Sequence, residues 1–410
     1  MNILFLNLLK FSSFEEHNIY TDLLRTLIRD RHNVFAVCPS ERRLKEKTNI
    51  KRFGTSSILT VKTFNIQKTN IIEKGIGTLS IKKQFIGAIK KYYKGVQFDM
   101  ILYPTPPITL CGVVEYFKKR DNAKTYLMLK DIFPQNAVDL GMMKTTGVKG
   151  LIYKYFRKRE KKLYAISDRI GCMSPANVEY VLKHNPEVSK DKVEVFPNCI
   201  EPQDISLTGE EKVELRNKYG LPLDKKIFIY GGNLGKPQGI PFIIECLRAE
   251  KDNEKAFFLI IGDGTEYGKL EKYYNESRQT NFKLLRRLPS GEFDKVLCAC
   301  DVGLIFLNHR FTIPNFPSRF LSYLQVGLPI VSCTDTSTDL NKVVSENKIG
   351  WFCKSDDLAS FRTCINNSLQ ANLEPMKKRA RSLLIESYSI KAVVTKTYVG
   401  SILNEPCFEE

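Results

Sequence analysis

Short, nearly continuous apolar runs alternate with longer stretches in which apolar residues recur every three or four positions. In the first half the runs fall at 2–7, 33–38, 98–103, 125–129, 170–173 and 193–196, and in the second at 227–230, 257–261, 302–307, 329–332 and 349–353. Runs this short, and apolar on both faces, suit strands covered on both sides of a parallel sheet. The intervening stretches read as amphipathic helices; over 15–31, Ile19, Leu23, Leu24, Leu27 and Ile28 share one face. Pro39 is expected to end the second run. Regular alternation specifies an α/β fold, and 410 residues divide into two domains of ordinary size. The pattern predicts two Rossmann-like, doubly wound domains, 1–198 and 199–385, facing across a cleft at the carboxyl ends of their strands. Residues 386–410, the end of a helical stretch that starts at Met376, are expected to pack back on the first domain.

Composition changes this picture little. A hydrophobic fraction of 43% supplies a core for both domains. Eleven cysteines show no paired spacing beyond Cys298 and Cys300, so they are expected to be reduced and buried, as in a cytoplasmic protein. The N-terminal run lacks a basic flank and a small-residue cleavage site, and reads as a first strand rather than a signal peptide. No apolar stretch reaches the roughly 20 residues that cross a bilayer. Charge matters more. A net +18 implies an anionic partner: nucleic acid, an anionic membrane surface or a phosphorylated substrate.

Two constellations carry candidate chemistry. Tyr230-Gly231-Gly232-Asn233-Leu234-Gly235-Lys236 follows a strand and precedes a helix near Pro241. Glycines there let backbone N–H groups approach a diphosphate, and Lys236 adds a mobile cation. The same glycines would equally serve a tight turn that needs positive φ. The sequence is neither G-x-G-x-x-G nor a Walker A loop. The second constellation is Pro314-Asn315-Phe316-Pro317-Ser318-Arg319, leading into a helix that stops at Gly327. Ser318 is placed to cap that helix, whose amino end would face the first turn; a capped surface helix without ligand fits the same residues. Arg319 in the first turn opposes the helix dipole unless an anion lies nearby.

These segments, with Ile261-Gly262-Asp263-Gly264 and Cys300-Asp301-Val302-Gly303 between them, resemble the donor half of family-4 retaining glycosyltransferases of the GT-B fold, over nearly all of 226–369. The bacterial enzymes that build O-antigens, capsules and other surface polysaccharides are the nearest in pattern. Phe14-Glu15-Glu16-His17 and Lys130-Asp131-Ile132-Phe133-Pro134-Gln135 look like that family's acceptor-side segments. The resemblance implies that 1–198 is the acceptor-side domain and 199–385 binds a UDP- or GDP-linked sugar. Gly232, Asn233 and Gly235 would meet the diphosphate, with Lys236 and Arg319 neutralising it. Gly262, Asp263, Arg287 and Leu288 would border the nucleoside. Phe316, Pro317 and Ser318 would line the sugar and phosphate. His17 and Asp131 would stand near the acceptor or sugar ring as catalytic candidates. For His17 a helix-start hydrogen bond is the other reading, and for Asp131 an N-cap.

The chain departs from the pattern. Where many members carry two glutamates eight positions apart, it has Pro314 and Ser322, and it has Asn233 and Gln238 for a customary arginine and lysine. Ser322 inherits the ribose-facing position. No two aspartates stand in an Asp-x-Asp motif, so the expected transfer is metal-independent and without a cofactor; the resemblance implies that it is retaining. Lys82, Lys83, Lys90, Lys91 and Lys94, and then Lys144 through Lys162, interleave with aromatics, suiting the inner face of an anionic membrane and a lipid-linked saccharide acceptor. A solvated basic face is the plainer account. No nucleic-acid-binding module is present. The alternatives to a glycosyltransferase are a sugar-nucleotide epimerase of similar fold and a non-catalytic scaffold.

Overall fold

The computed structural model describes residues 1–65, 71–106 and 108–403. The end of the expected C-terminal element, 404–410, and the side chain of Lys149 lie outside the described residues. The chain divides into two compact units: Met1–Glu201 with Val393–Glu410, and Pro202–Ala392.

The first unit holds an eight-stranded sheet. Its strands are β1 (Asn2–Leu6), β2 (Asn33–Glu41), β3 (Asn49–Phe53), β4 (Ser56–Thr63), β5 (Met100–Thr105), β6 (Lys124–Leu129), β7 (Arg169–Cys172) and β8 (Val193–Val195), in the order β3-β4-β2-β1-β5-β6-β7-β8. All neighbours are parallel except the β3–β4 hairpin. That hairpin escapes the apolar-run criterion because β3 lies at the sheet edge with its side chains largely exposed, while β4, though buried, carries serine, threonine or lysine at five of its eight positions. Strand β2 runs through Pro39 instead of ending there. Its pairing with β1 stops at Val37, while Pro39 faces Val61 of β4, so the missing N–H falls where one side of the strand is already unpaired.

The second unit holds six parallel strands: β9 (Lys226–Asn233), β10 (Ala256–Asp263), β11 (Phe282–Leu285), β12 (Val302–Phe306), β13 (Ile330–Thr334) and β14 (Gly350–Lys354), ordered β11-β10-β9-β12-β13-β14. The sequence pattern omits β11, whose four residues include Lys283. Winding reverses at β9, with β10 on one side and β12 on the other. Such a reversal opens a crevice at the carboxyl ends of the diverging strands. Phe228, Tyr230, Phe258 and Ile260 pack the core against the helices Ile240–Ala249 and Leu358–Gln370.

Two helical expectations change. The helix over 15–31 begins at Thr21, because Asn18 Oδ1 takes the N–H groups of Tyr20 and Thr21 and holds the preceding residues in a turn. The stretch from Met376 is broken at Ser389 and Thr397 into shorter pieces. The last piece is fixed within the first unit: the Tyr398 N–H donates to the Glu194 carboxylate at 3.0 Å and Arg169 lies over the Tyr398 ring.

Candidate functional site

In the second unit the glycine-rich turn leaves the carboxyl end of β9, at the point of reversal. Gly232 has φ +128°, a conformation other residues rarely adopt. Its register partner is Gly262 of β10, where an added Cβ would come within 2.0 Å of the Gly232 carbonyl oxygen. The two strand ends touch backbone to backbone. Gly262→Ala is therefore expected to cost about 3 kcal/mol or more, as severe overpacking does, read as a lowered urea midpoint. A variant melting with the parent would refute this close contact as a constraint.

The turn does not present its N–H groups as expected. Leu234 N–H is given to the Asp263 carbonyl at 2.9 Å, and Gly235 N–H to Gln238 Oε1 at 3.1 Å. Asn233 Nδ2 donates to the same oxygen at 2.9 Å. Gln238, standing where a cation is customary, ties the turn together. Charge must then come from side chains. Lys236 is exposed, and its carbonyl is held by Asn308 Nδ2, just beyond β12.

The second cation reaches the strand end directly. Arg319 Nη1 donates to the Gly231 carbonyl at 2.8 Å, and the guanidinium lies 4.1 Å from the centre of the Tyr230 ring. These contacts still leave N–H donors of the guanidinium for a ligand. The helix that carries it, Arg319–Gln325, is locked by a residue the sequence reading passed over. Tyr323 is fully buried, with its ring against Gly303 and its hydroxyl 3.0 Å from the Ile229 carbonyl and 2.9 Å from that of Leu304. A tyrosine on an otherwise apolar helix face is the signal, since its hydroxyl must find a partner once buried.

Other expected donor residues fare differently. Ser318 makes no capping bond and has helical φ and ψ, so its hydroxyl is not the cap foreseen. Phe316 is buried, stacked on Tyr388 and edge-on to Phe320; it packs the core and does not line an open site. Ser322 and Pro317 are half-buried. Asp263 takes the Gly264 N–H at 2.9 Å and Arg286 Nη1 at 3.2 Å, while Arg286 lies over the Tyr267 ring. Arg286, not Arg287, is thus the arginine at the end of β10; Arg287 is exposed and Leu288 half-buried.

In the first unit Asp131 follows the carboxyl end of β6. Its carboxylate takes the Ile132 N–H at 2.8 Å and Asn136 Nδ2 at 2.5 Å, and burial pushes its pKa up to about 6. It does not cap the helix Gln135–Asp139, whose cap position is Pro134. Lys130 beside it donates to the carbonyls of Phe196 and Pro197 at 3.4 Å and stands over the Phe196 ring, and burial lowers it to about 8.

His17 does not open a helix; it lies exposed in the turn before Thr21. Its Nδ1 stands 3.2 Å from Arg25 Nη2, and the same guanidinium binds Asp22 at 2.6 Å. The same ring nitrogen lies 3.4 Å from Asp22 Oδ1, so an arginine and a carboxylate together fix the imidazole.

Residues 211–382 match the family model described as "Glycosyl transferases group 1". "Probable glycosyltransferase WbjE" of Pseudomonas aeruginosa is 24% identical over 324 residues, 78% of either chain. This chain is a glycosyltransferase. Its fold is that of solved GT-B enzymes. The Escherichia coli structure "Trehalose-6-phosphate from E. coli bound with UDP-2-fluoro glucose" superposes with a TM-score of 0.75 at 10% identity, over 98% of this chain and 99% of that one. WaaG, "a glycosyltransferase involved in lipopolysaccharide biosynthesis", superposes with a TM-score of 0.63 at 11% identity, over 97% and 100%. Among the described residues of this glycosyltransferase, no helix is long and apolar enough to cross a membrane.

Proposed function

We propose that the chain moves a sugar from a UDP- or GDP-linked donor to a lipid-linked saccharide in surface polysaccharide biosynthesis. Transfer proceeds with retention, without a divalent ion, at the inner face of the cytoplasmic membrane. The observation that carries the donor reading is Arg319, bridging its helix to the exposed glycine end of β9 at the reversal of the sheet. Breaking a glycosyl–phosphate bond leaves a nucleoside diphosphate whose new charge needs stabilising. Arg319 and Lys236 supply two positive charges there, which is the service a metal would otherwise provide. Asp131, poised near neutral pH at the strand ends of the other unit, and the exposed ring of His17 serve the acceptor or the sugar ring. The UDP-sugar in the E. coli structure and the lipopolysaccharide role of WaaG support the donor and acceptor classes.

The test is a screen of UDP- and GDP-sugars against lipid-diphosphate-linked saccharides, with chelator present and the product anomer read by NMR. Acceptor-dependent transfer with retention is expected, unaffected by chelator. An inverted anomer, or loss of transfer on chelation, refutes those parts of the reading. Interconversion of the donor sugar without acceptor would make it an epimerase, and no nucleotide affinity by calorimetry would leave a scaffold.

A further inference from the structure

In the helix Gly147–Ile166 the outward face is apolar where a soluble protein's would be polar. Val148, Leu151, Ile152 and Tyr155 are between 44% and 84% exposed, and Met142 just ahead of the helix is 63% exposed. The spacing i, i+3, i+4, i+7 places the four on one stripe. One turn further along the same stripe stands Arg159, its guanidinium over the Tyr155 ring. Together with Lys82, Thr109 and Phe156 these two residues line a small cavity of about 70 Å³. An aliphatic ridge therefore runs into a cationic notch.

The surrounding lysines separate into two groups. Lys161 and Lys162 are neutralised by Glu187 and Glu115 at 2.9 and 2.7 Å. Among the described residues Lys82, Lys144, Lys154 and Lys158 make no ion pair, so their charge remains available to a partner.

We infer that this face is an interfacial anchor for an anionic phospholipid leaflet. Leu151, Ile152 and Val148 enter the acyl boundary, and the Lys82–Arg159 notch receives a headgroup phosphate. Charge decides the occupant. A second copy of a chain with net charge +18 would bring the same cations to the same rim. A nucleic acid would satisfy the lysines but not the aliphatic ridge. An anionic bilayer answers both, since it sets a negative surface over an apolar interior. The inference rests on the proposed lipid-linked acceptor and adds how the enzyme would be held at it.

The test is co-sedimentation of the full chain with vesicles of phosphatidylcholine alone or with about one-third phosphatidylglycerol. The parent is expected to bind only the anionic vesicles and to keep part of that binding in high salt. Leu151→Ser with Ile152→Ser should lower the partition coefficient at least roughly tenfold. Lys154→Gln with Lys158→Gln should lower it roughly twenty- to thirtyfold, at about fivefold per charge. Unchanged binding in the serine pair would reduce the patch to simple electrostatic adsorption and overturn the anchor. So would a parent dimer that the serine pair converts to monomer, or equal binding to both vesicle types. Nucleoside diphosphate affinity measured on the same variants keeps the two readings apart. Vesicle binding lost with affinity retained tests the anchor alone, whereas a parent without affinity is a failure of the donor reading.

Discussion

Arg319→Ala is expected to weaken binding of a nucleoside diphosphate by roughly 1–3 kcal/mol, the range of a lost charge-assisted hydrogen bond. Calorimetry on parent and variant measures it. The loss has two sources with separable signatures. The guanidinium neutralises charge at the end of β9, and it also holds the Gly231 carbonyl and covers Tyr230. Arg319→Lys keeps the first and gives up the planar fork needed for the second, so it should recover only part of the affinity. Lys236→Ala should weaken binding by a similar or smaller amount, without loss of stability, because its side chain is exposed. Full affinity in both alanine variants would remove the diphosphate from this turn. A loss in Arg319→Ala that matched its loss of stability would make the arginine a strut only.

Asp131→Asn should lower kcat roughly 10²–10⁴-fold, as removal of a proton acceptor does, with KM for the donor little changed. The pH profile identifies the group. A folded pKa of about 6 means the carboxylate form is lost as pH falls through 6, so the parent rate should decline on the acid side there and be level above. The variant should lack that limb. Stability moves in the opposite sense. Burial raises this acid above its ordinary value of 3.8, so the folded chain holds the proton more tightly than the unfolded one. Its contribution is therefore most favourable below pH 4 and is lost as pH rises from about 4 to 6. A variant that keeps both the acid limb and the parent kcat would return Asp131 to a purely structural role.

Much of this architecture is local and therefore legible. Nearly every parallel strand of both units announces itself as an apolar run, because a strand covered on both faces must be apolar throughout. Strands β3, β4 and β11 do not: β3 and β11 are short edge strands, and β4, though buried, carries Ser56, Ser57, Thr60, Lys62 and Thr63, which periodicity alone assigns to a loop. The glycine turn after β9 and its proline-framed counterpart are legible for the same reason: φ at Gly232 and the stop at Gly327 are properties of a few adjacent residues.

What each polar group does with its hydrogen bonds is not local. Arg319 spends one donor on a carbonyl 88 residues away, Gln238 occupies the turn's own N–H, and Phe316 is drawn into a stack with Tyr388. His17 Nδ1 is held by Arg25 and Asp22 of the following helix, and the Arg25 guanidinium is itself steered by Asp22 and Glu201. The alternation of apolar and amphipathic segments was enough to specify two doubly wound sheets and the ends at which ligands gather, since both follow from burial and chain chirality. Which side chains stay available at those ends was decided only by tertiary structure, because a donor or acceptor is spent by whichever partner folding brings within 3 Å, and sequence distance has no bearing on that.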